Sequence, residues 1–86
     1  RVAKVVGLSE KAERLAFKIL VIAEKQNISA SKNPMSMAAA AINIASVMNN
    51  EKVTQMKISE ASGISAVTIR SRSKEIEKNI GGEING

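Results

Sequence analysis

The segment PMSMAAAAINIASVMNN, residues 34–50, sets the terms for the rest of the chain. Asn33 can cap a helix, and Pro34 suits its first turn. The residues that follow are small and apolar on nearly every side of a helix. A helix with no polar face is usually surrounded by other helices. Four consecutive alanines, Ala38 to Ala41, allow neighbouring backbones to come close. The pattern therefore predicts the central helix of a bundle. It places Asn43 partly inside, where it needs a hydrogen-bond partner, and assigns Met35, Met37 and Met48 to packing.

The remaining segments read as the helices that surround it. Val2 to Val6 is the short end of one helix. Ser9 is a good N-cap, and Glu10 and Glu13 favour the positive end of the helix that follows. Ala12, Leu15, Ala16, Ile19, Leu20, Ile22 and Ala23 form a broad apolar stripe, and this helix should run to about Gln26 and end near Asn27. A polar connector, NISASKN, follows. Asn49-Asn50-Glu51-Lys52 reads as a turn. Thr54 can cap a short helix, QMKISEAS, which stops at Gly63. Ser65 can cap a last helix from Ala66 to about Asn79. The terminal GGEING is too glycine-rich and short to pack, and is expected to be disordered. No strand-like alternation of any length occurs. The expected organisation is all-α, with one domain over residues 1–80, a helix-turn-helix at about 54–79 and a disordered tail over 81–86.

Composition narrows the chemistry. With 86 residues and 44% hydrophobic content, the chain can bury one modest core. Cysteine, histidine and aspartate are absent. Disulfides, thiolate metal sites and the usual general bases go with them. Neither an enzyme, a metal site nor a cofactor is expected. No apolar run approaches the roughly 18 residues of a membrane span, since Ser36, Asn43 and Ser46 interrupt the longest candidate. The N-terminus lacks the apolar core of a signal peptide, and a start at Arg1 reads as a fragment or processed piece. An intracellular setting is the default expectation. The net charge is +5. Between residues 52 and 74, Lys52, Lys57, Arg70, Arg72 and Lys74 face Glu60 alone. Such a patch suggests a polyanionic partner, although a solvated face that aids solubility would read the same.

Two short helices joined at a glycine describe a helix-turn-helix, because glycine permits the left-handed conformation of the bend. Ile58, Ala61, Ile64 and Ile69 would hold the pair together. At 100° per residue, Ile69, Ser73, Ile76 and Ile80 share an arc of about 60° and should face the core. Val67, Ser71, Lys74 and Lys78 lie opposite, with Arg70 on the edge. A merely solvated face does not require Val67. An exposed valine in the first turn can press against a thymine methyl in the major groove, and arginine can bond guanine twice. The same valine would also suit sealing the corner between the helices.

The order and spacing of these pieces resemble a known family. NPMSMAAAAINIASVMNNEKVTQMKISEASGISAVTIRSRSKEI is similar to the second cyclin-like repeat of the archaeal transcription initiation factor B family, the counterpart of eukaryotic general transcription factor IIB. The shared pieces are a proline-led alanine-rich helix, EK-x-TQ, an isoleucine-containing helix and G-[IV]-x-x-VT-[IV]-R. The upstream RVAKVVGLSEKAE matches the junction of the first two helices of the repeat.

The resemblance implies a five-helix cyclin-like fold, with the first helix apparently truncated. It implies that the last two helices enter the major groove upstream of the TATA box and read the B recognition element. Val67 and Arg70 fall on the family's base-reading residues, with Ser65 and Thr68 beside them. Lys52, Thr54, Gln55, Lys57 and Lys74 fall on positions near the phosphates. Partners implied are double-stranded promoter DNA, the TATA-box-binding protein, and RNA polymerase through regions of the full-length factor outside this chain. A monomer in the archaeal cytoplasm, associated with the nucleoid, is expected. The chain departs from the family at three places. Val53 stands where a cation is common, and Asn43 and Ser73 stand where tyrosine is found. Two other readings are a helix-turn-helix regulator of another family and a cyclin-like module that binds protein.

Overall fold

A computed structural model of the chain describes residues 2–27 and 33–85, with backbone alone for 84 and 85. The described residues form five helices and no strand: α1 (Val2–Val5), α2 (Glu10–Lys25), α3 (Pro34–Met48), α4 (Gln55–Ser62) and α5 (Ala66–Asn85). None is long and apolar enough to cross a membrane. The expected polar connector falls mostly on 28–32, outside the described residues.

Helix starts lie where capping side chains place them. Ser9 Oγ accepts from the Ala12 N–H at 3.1 Å. Asn33 Oδ1 accepts from Met35 and Ser36 at 2.8 and 3.2 Å. Each bond satisfies an N–H that has no partner within its helix. After α2 and α3 the chain turns on Asn27 (φ 62°) and Asn50 (φ 54°), a left-handed conformation that asparagine tolerates better than most residues.

The helix α3 occupies the centre, as its composition requires. Ten of its fifteen residues are buried, and it packs against α2, α4 and α5. Facing it, α2 buries Ala12, Ala16, Ile19 and Ala23, while Leu15, Leu20 and Ile22 pack partly exposed on the same core. Side chains at the contact set the distance between packed helices, so alanine on both surfaces draws α2 and α3 together. Larger groups fill what remains: Ile19, Met37, Ile58, Ile69, Ile76 and Ile80 are all under 2% exposed. Burying each contributes about 1.5–3 kcal/mol.

Two of the three methionines assigned to packing are not enclosed. Met35 is 44% and Met48 41% exposed. They occupy the first and last turns of α3, outside its buried span of Ser36 to Ser46. Phe17, the single aromatic, is 68% exposed, so the core is aliphatic.

Asn43 finds the partner it needs in Ser73. Its Nδ2 donates to Ser73 Oγ at 3.0 Å and joins α3 to α5 inside the protein. These are the two positions where the resemblance would put tyrosine. Here two small polar side chains satisfy each other. Among the described residues no buried side-chain nitrogen or oxygen lacks a partner.

The last helix continues past the end expected at Asn79. It runs through Gly81 and Gly82 to Asn85, where the sequence pattern suggested a disordered tail. The reason is tertiary. Ile80 is buried in the core, and Gln26 at the end of α2 donates to Glu83 Oε1 at 2.8 Å. This anchoring outweighs the low helix propensity of two glycines, about 1 kcal/mol each.

Two expectations follow. A methyl group at Gly82 would meet nothing within 4 Å. Gly82→Ala should therefore raise stability by about 0.5–1 kcal/mol in urea unfolding, whereas a frayed tail would show no change. Ser73→Ala should cost about 1–3 kcal/mol, because it strands the buried Asn43 amide. Asn43→Leu combined with Ser73→Ala should cost less than the sum of the two single changes. Strict additivity in the same assay would show that the pair is not coupled.

Candidate nucleic-acid interface

The candidate site is built on the bend between α4 and α5. Thr54 Oγ1 accepts from the Lys57 N–H at 3.1 Å and starts α4. Gly63 ends it at φ 77°, ψ 8°, donating its N–H to Ser59 O. Glycine adopts this left-handed conformation at no steric cost, because it has no Cβ. Ser62 Oγ then accepts from the Ile64 N–H at 3.2 Å. Ser65 Oγ accepts from the Thr68 N–H at 3.2 Å and starts α5. Ile58 and Ile69 are fully buried, with Ile64 partly buried beside them. They set how α4 and α5 cross.

Burial of Ile69, Ser73, Ile76 and Ile80 orients the other described side chains of α5. Val67 is turned outward and is 71% exposed, so it does not seal the corner between the helices. Arg70, Ser71, Lys74 and Lys78 are exposed with it. Ser71, Lys74 and Lys78 border one shallow depression together with Arg72 and Glu75. Arg72 belongs less to the outer face, because it is partly buried and its Nη1 donates to Glu75 Oε1 at 3.2 Å.

The remaining site residues fall into three groups. The hydroxyls of Ser65 and Thr68 bond each other at 3.0 Å as part of the cap, which leaves the Thr68 proton available to an outside acceptor. Lys52 and Thr54 are exposed and Gln55 is partly buried, all at the entry to α4. Lys57 stands apart from the α5 stripe. It borders a shallow depression with Val5, Val6, Glu60 and Ala61, on the side of α4 that faces α1. Val53 packs partly buried against the core, so an apolar contact replaces the cation that the resemblance would place there.

Glu51, which the sequence marks only as part of a turn, makes a long-range contact. It lies in the turn after α3, and its carboxylate reaches the start of α2. The Ser9 N–H donates to its Oε1 at 2.9 Å. The Ser9 hydroxyl and the Asn49 side-chain amide both donate to its Oε2. The Ser9 hydroxyl, the Ser9 N–H and then the Asn49 amide hold its pKa below the ordinary value of 4.5. Only the EK-x-TQ motif hinted at this residue, and the motif does not reveal a partner 42 positions away.

The described residues form an all-helical bundle that ends in a helix-turn-helix with a cationic outer face. The family model described as "Transcription factor TFIIB repeat" matches residues 1–79. The chain is 46% identical to transcription initiation factor IIB 2 of Haloferax volcanii over 76 residues, which are 88% of this chain and 23% of that protein. It is 41% identical to transcription initiation factor IIB of Pyrococcus abyssi, covering 88% of this chain and 25% of the relative. Against the Archaeoglobus fulgidus factor it is 36% identical over 98% of its own length and 26% of the relative's. The chain belongs to the transcription initiation factor IIB family, and its five helices are consistent with one cyclin-like repeat. It spans about a quarter of the length of these archaeal relatives.

The Glu51 bonds give a pH dependence of defined sign. A carboxyl whose pKa is lowered by folding adds stability above its unfolded pKa and loses it as pH falls through the folded value. The stability difference between wild type and Glu51→Gln should therefore be constant well above pH 4.5 and shrink below it. A difference independent of pH, measured by urea unfolding across the acid range, would show that this carboxylate is not held by Ser9 and Asn49.

Proposed function

We propose that this chain is a promoter-binding part of a general transcription initiation factor. In this reading α5 enters the major groove upstream of the TATA box and reads the B recognition element. Val67 and Arg70 contact base edges, with Ser65 and Thr68 beside them. Lys52, Thr54, Gln55, Lys57 and Lys74 contact phosphates. The chain acts as a monomer alongside the TATA-box-binding protein, at the nucleoid of an archaeal cell. RNA polymerase is engaged through other regions of a longer factor. No catalysis is involved.

The observation that carries this reading is the exposure of Val67 in the first turn of α5, next to exposed Arg70 and Lys74. The core does not use that valine, and the names of the relatives supply the setting. A thymine methyl is the kind of surface an outward valine at this place can cover. With Arg72 paired to Glu75, the free cations of the proposed contact set are Lys52, Lys57, Arg70 and Lys74. Of these, Lys52, Lys57 and Lys74 are assigned to phosphates, and three such contacts imply a slope of log K against log salt of about −3.

The test compares matched and scrambled promoter duplexes at several salt concentrations. Arg70→Ala should cost about 1–3 kcal/mol on the matched duplex and less on the scrambled one. Val67→Ala should leave stability and salt slope unchanged, because the side chain is outside the core, and should weaken discrimination at one thymine-bearing position. Lys74→Ala should weaken binding to both duplexes and make the slope shallower by about one unit. Equal losses on both duplexes for Val67→Ala and Arg70→Ala would mean that α5 does not read sequence.

A further inference from the structure

Between α3 and α4 the chain crosses residues 51–54 without regular structure. This loop carries Lys52 and Thr54 and delivers Gln55 to the first position of α4. Phosphate contacts need donors held in place, since every degree of freedom frozen on binding weakens the complex. The loop has no ladder or helix of its own to hold it. It has three anchors instead. Thr54 caps α4 at its far end, and Val53 packs on the core in the middle. At the near end the Glu51 N–H donates to Ser46 O at 2.8 Å, while the Glu51 carboxylate takes both donors of Ser9 and the amide of Asn49.

Neither adjoining helix depends on that carboxylate. Ser9 caps α2 by accepting from the Ala12 N–H, a bond in which Glu51 takes no part. The end of α3 is closed by the Asn49 N–H on Ala45 O at 3.0 Å. What the carboxylate adds is the tie between two distant parts of the chain: the start of α2 and the start of the loop. We propose that Glu51 is a positioning residue for the phosphate contacts of Lys52, Thr54 and Gln55, clamping their loop to the N-terminus of α2 before DNA arrives. The inference rests on the DNA-binding reading above and names a residue that itself touches no phosphate.

The experiment is a double-mutant cycle on the 86-residue chain: wild type, Glu51→Ala, Lys52→Ala and the double variant. Each is titrated with matched and scrambled duplexes at several salt concentrations. Amide exchange of residues 51–57 is followed without DNA. Glu51→Ala should speed exchange in the loop and make the salt slope shallower by about one. It should weaken both duplexes alike, because Val67 and Arg70 stand on α5. Adding Lys52→Ala to Glu51→Ala should then cost little more, since the first change has already misplaced the lysine. Loss of global stability alone would not produce that non-additivity. If Glu51→Ala unfolds the chain, Glu51→Gln replaces it in the cycle, because it keeps one acceptor for Ser9 but sets an amide donor against Asn49. Additive losses, or an unchanged slope where Lys52→Ala lowers it, would overturn the positioning role and leave the DNA reading standing. No change in slope for Lys52→Ala itself would overturn the phosphate reading at the loop and this inference with it.

Discussion

A helix that cannot face water dominates this protein. The helix α3 is mostly alanine, isoleucine and methionine, with only Ser36, Asn43 and Ser46 as polar residues, and ten of its fifteen residues are buried. Each surrounding helix must offer an apolar stripe to it, and α2, α4 and α5 do so. Because much of α3 is alanine, its contacts contain few large groups. Stability is therefore spread over many small burials, with isoleucines at the corners. The same constraint orients the candidate site. Once Ile69, Ser73, Ile76 and Ile80 are committed to the core, the helical period turns Val67, Arg70 and Lys74 to the outside.

Polar interactions in the structure carry a different kind of information. Asn43 and Ser73 meet inside the protein and link α3 to α5 at a defined register. A sliding contact between smooth apolar surfaces would tolerate a shift that this hydrogen bond does not. Glu51 plays a comparable part at the surface, tying the turn after α3 to the first residue before α2. Together these two contacts join parts of the chain that local structure leaves independent. Both bear on the candidate site, since one holds α5 in place and the other holds the approach to α4.

The five helices of the described residues are consistent with membership of the transcription initiation factor IIB family, and three positions depart from the pattern that the sequence resemblance implies. Asn43 and Ser73 stand where the resemblance would put tyrosine. Their mutual bond replaces volume with a paired donor and acceptor. Val53 stands where the resemblance would put a cation, and it packs on the core. The entry to α4 thereby gains an apolar anchor in place of a charge.

Features that depend on neighbours within about four residues were readable from the order of amino acids. Ser9, Asn33, Thr54 and Ser65 cap their helices because a side-chain oxygen two or three positions upstream reaches a free N–H. Gly63 bends the chain because it lacks a side chain. The outward direction of Val67 follows from the helical period. The need of Asn43 for a partner was legible in the same way, but Ser73 as that partner was not. The extension of α5 to Asn85 was hidden as well, because two glycines argue locally for an end while Ile80 and the Gln26–Glu83 bond argue against it. Met35 and Met48 belonged to an apolar run, yet the ends of α3 lie outside the enclosed span. The bond from Glu51 to Ser9 left no local signal at all. Local geometry is fixed by short covalent distances along the chain, whereas these contacts exist only because docking α2, α4 and α5 onto α3 brings residues dozens of positions apart to within 3 Å of each other.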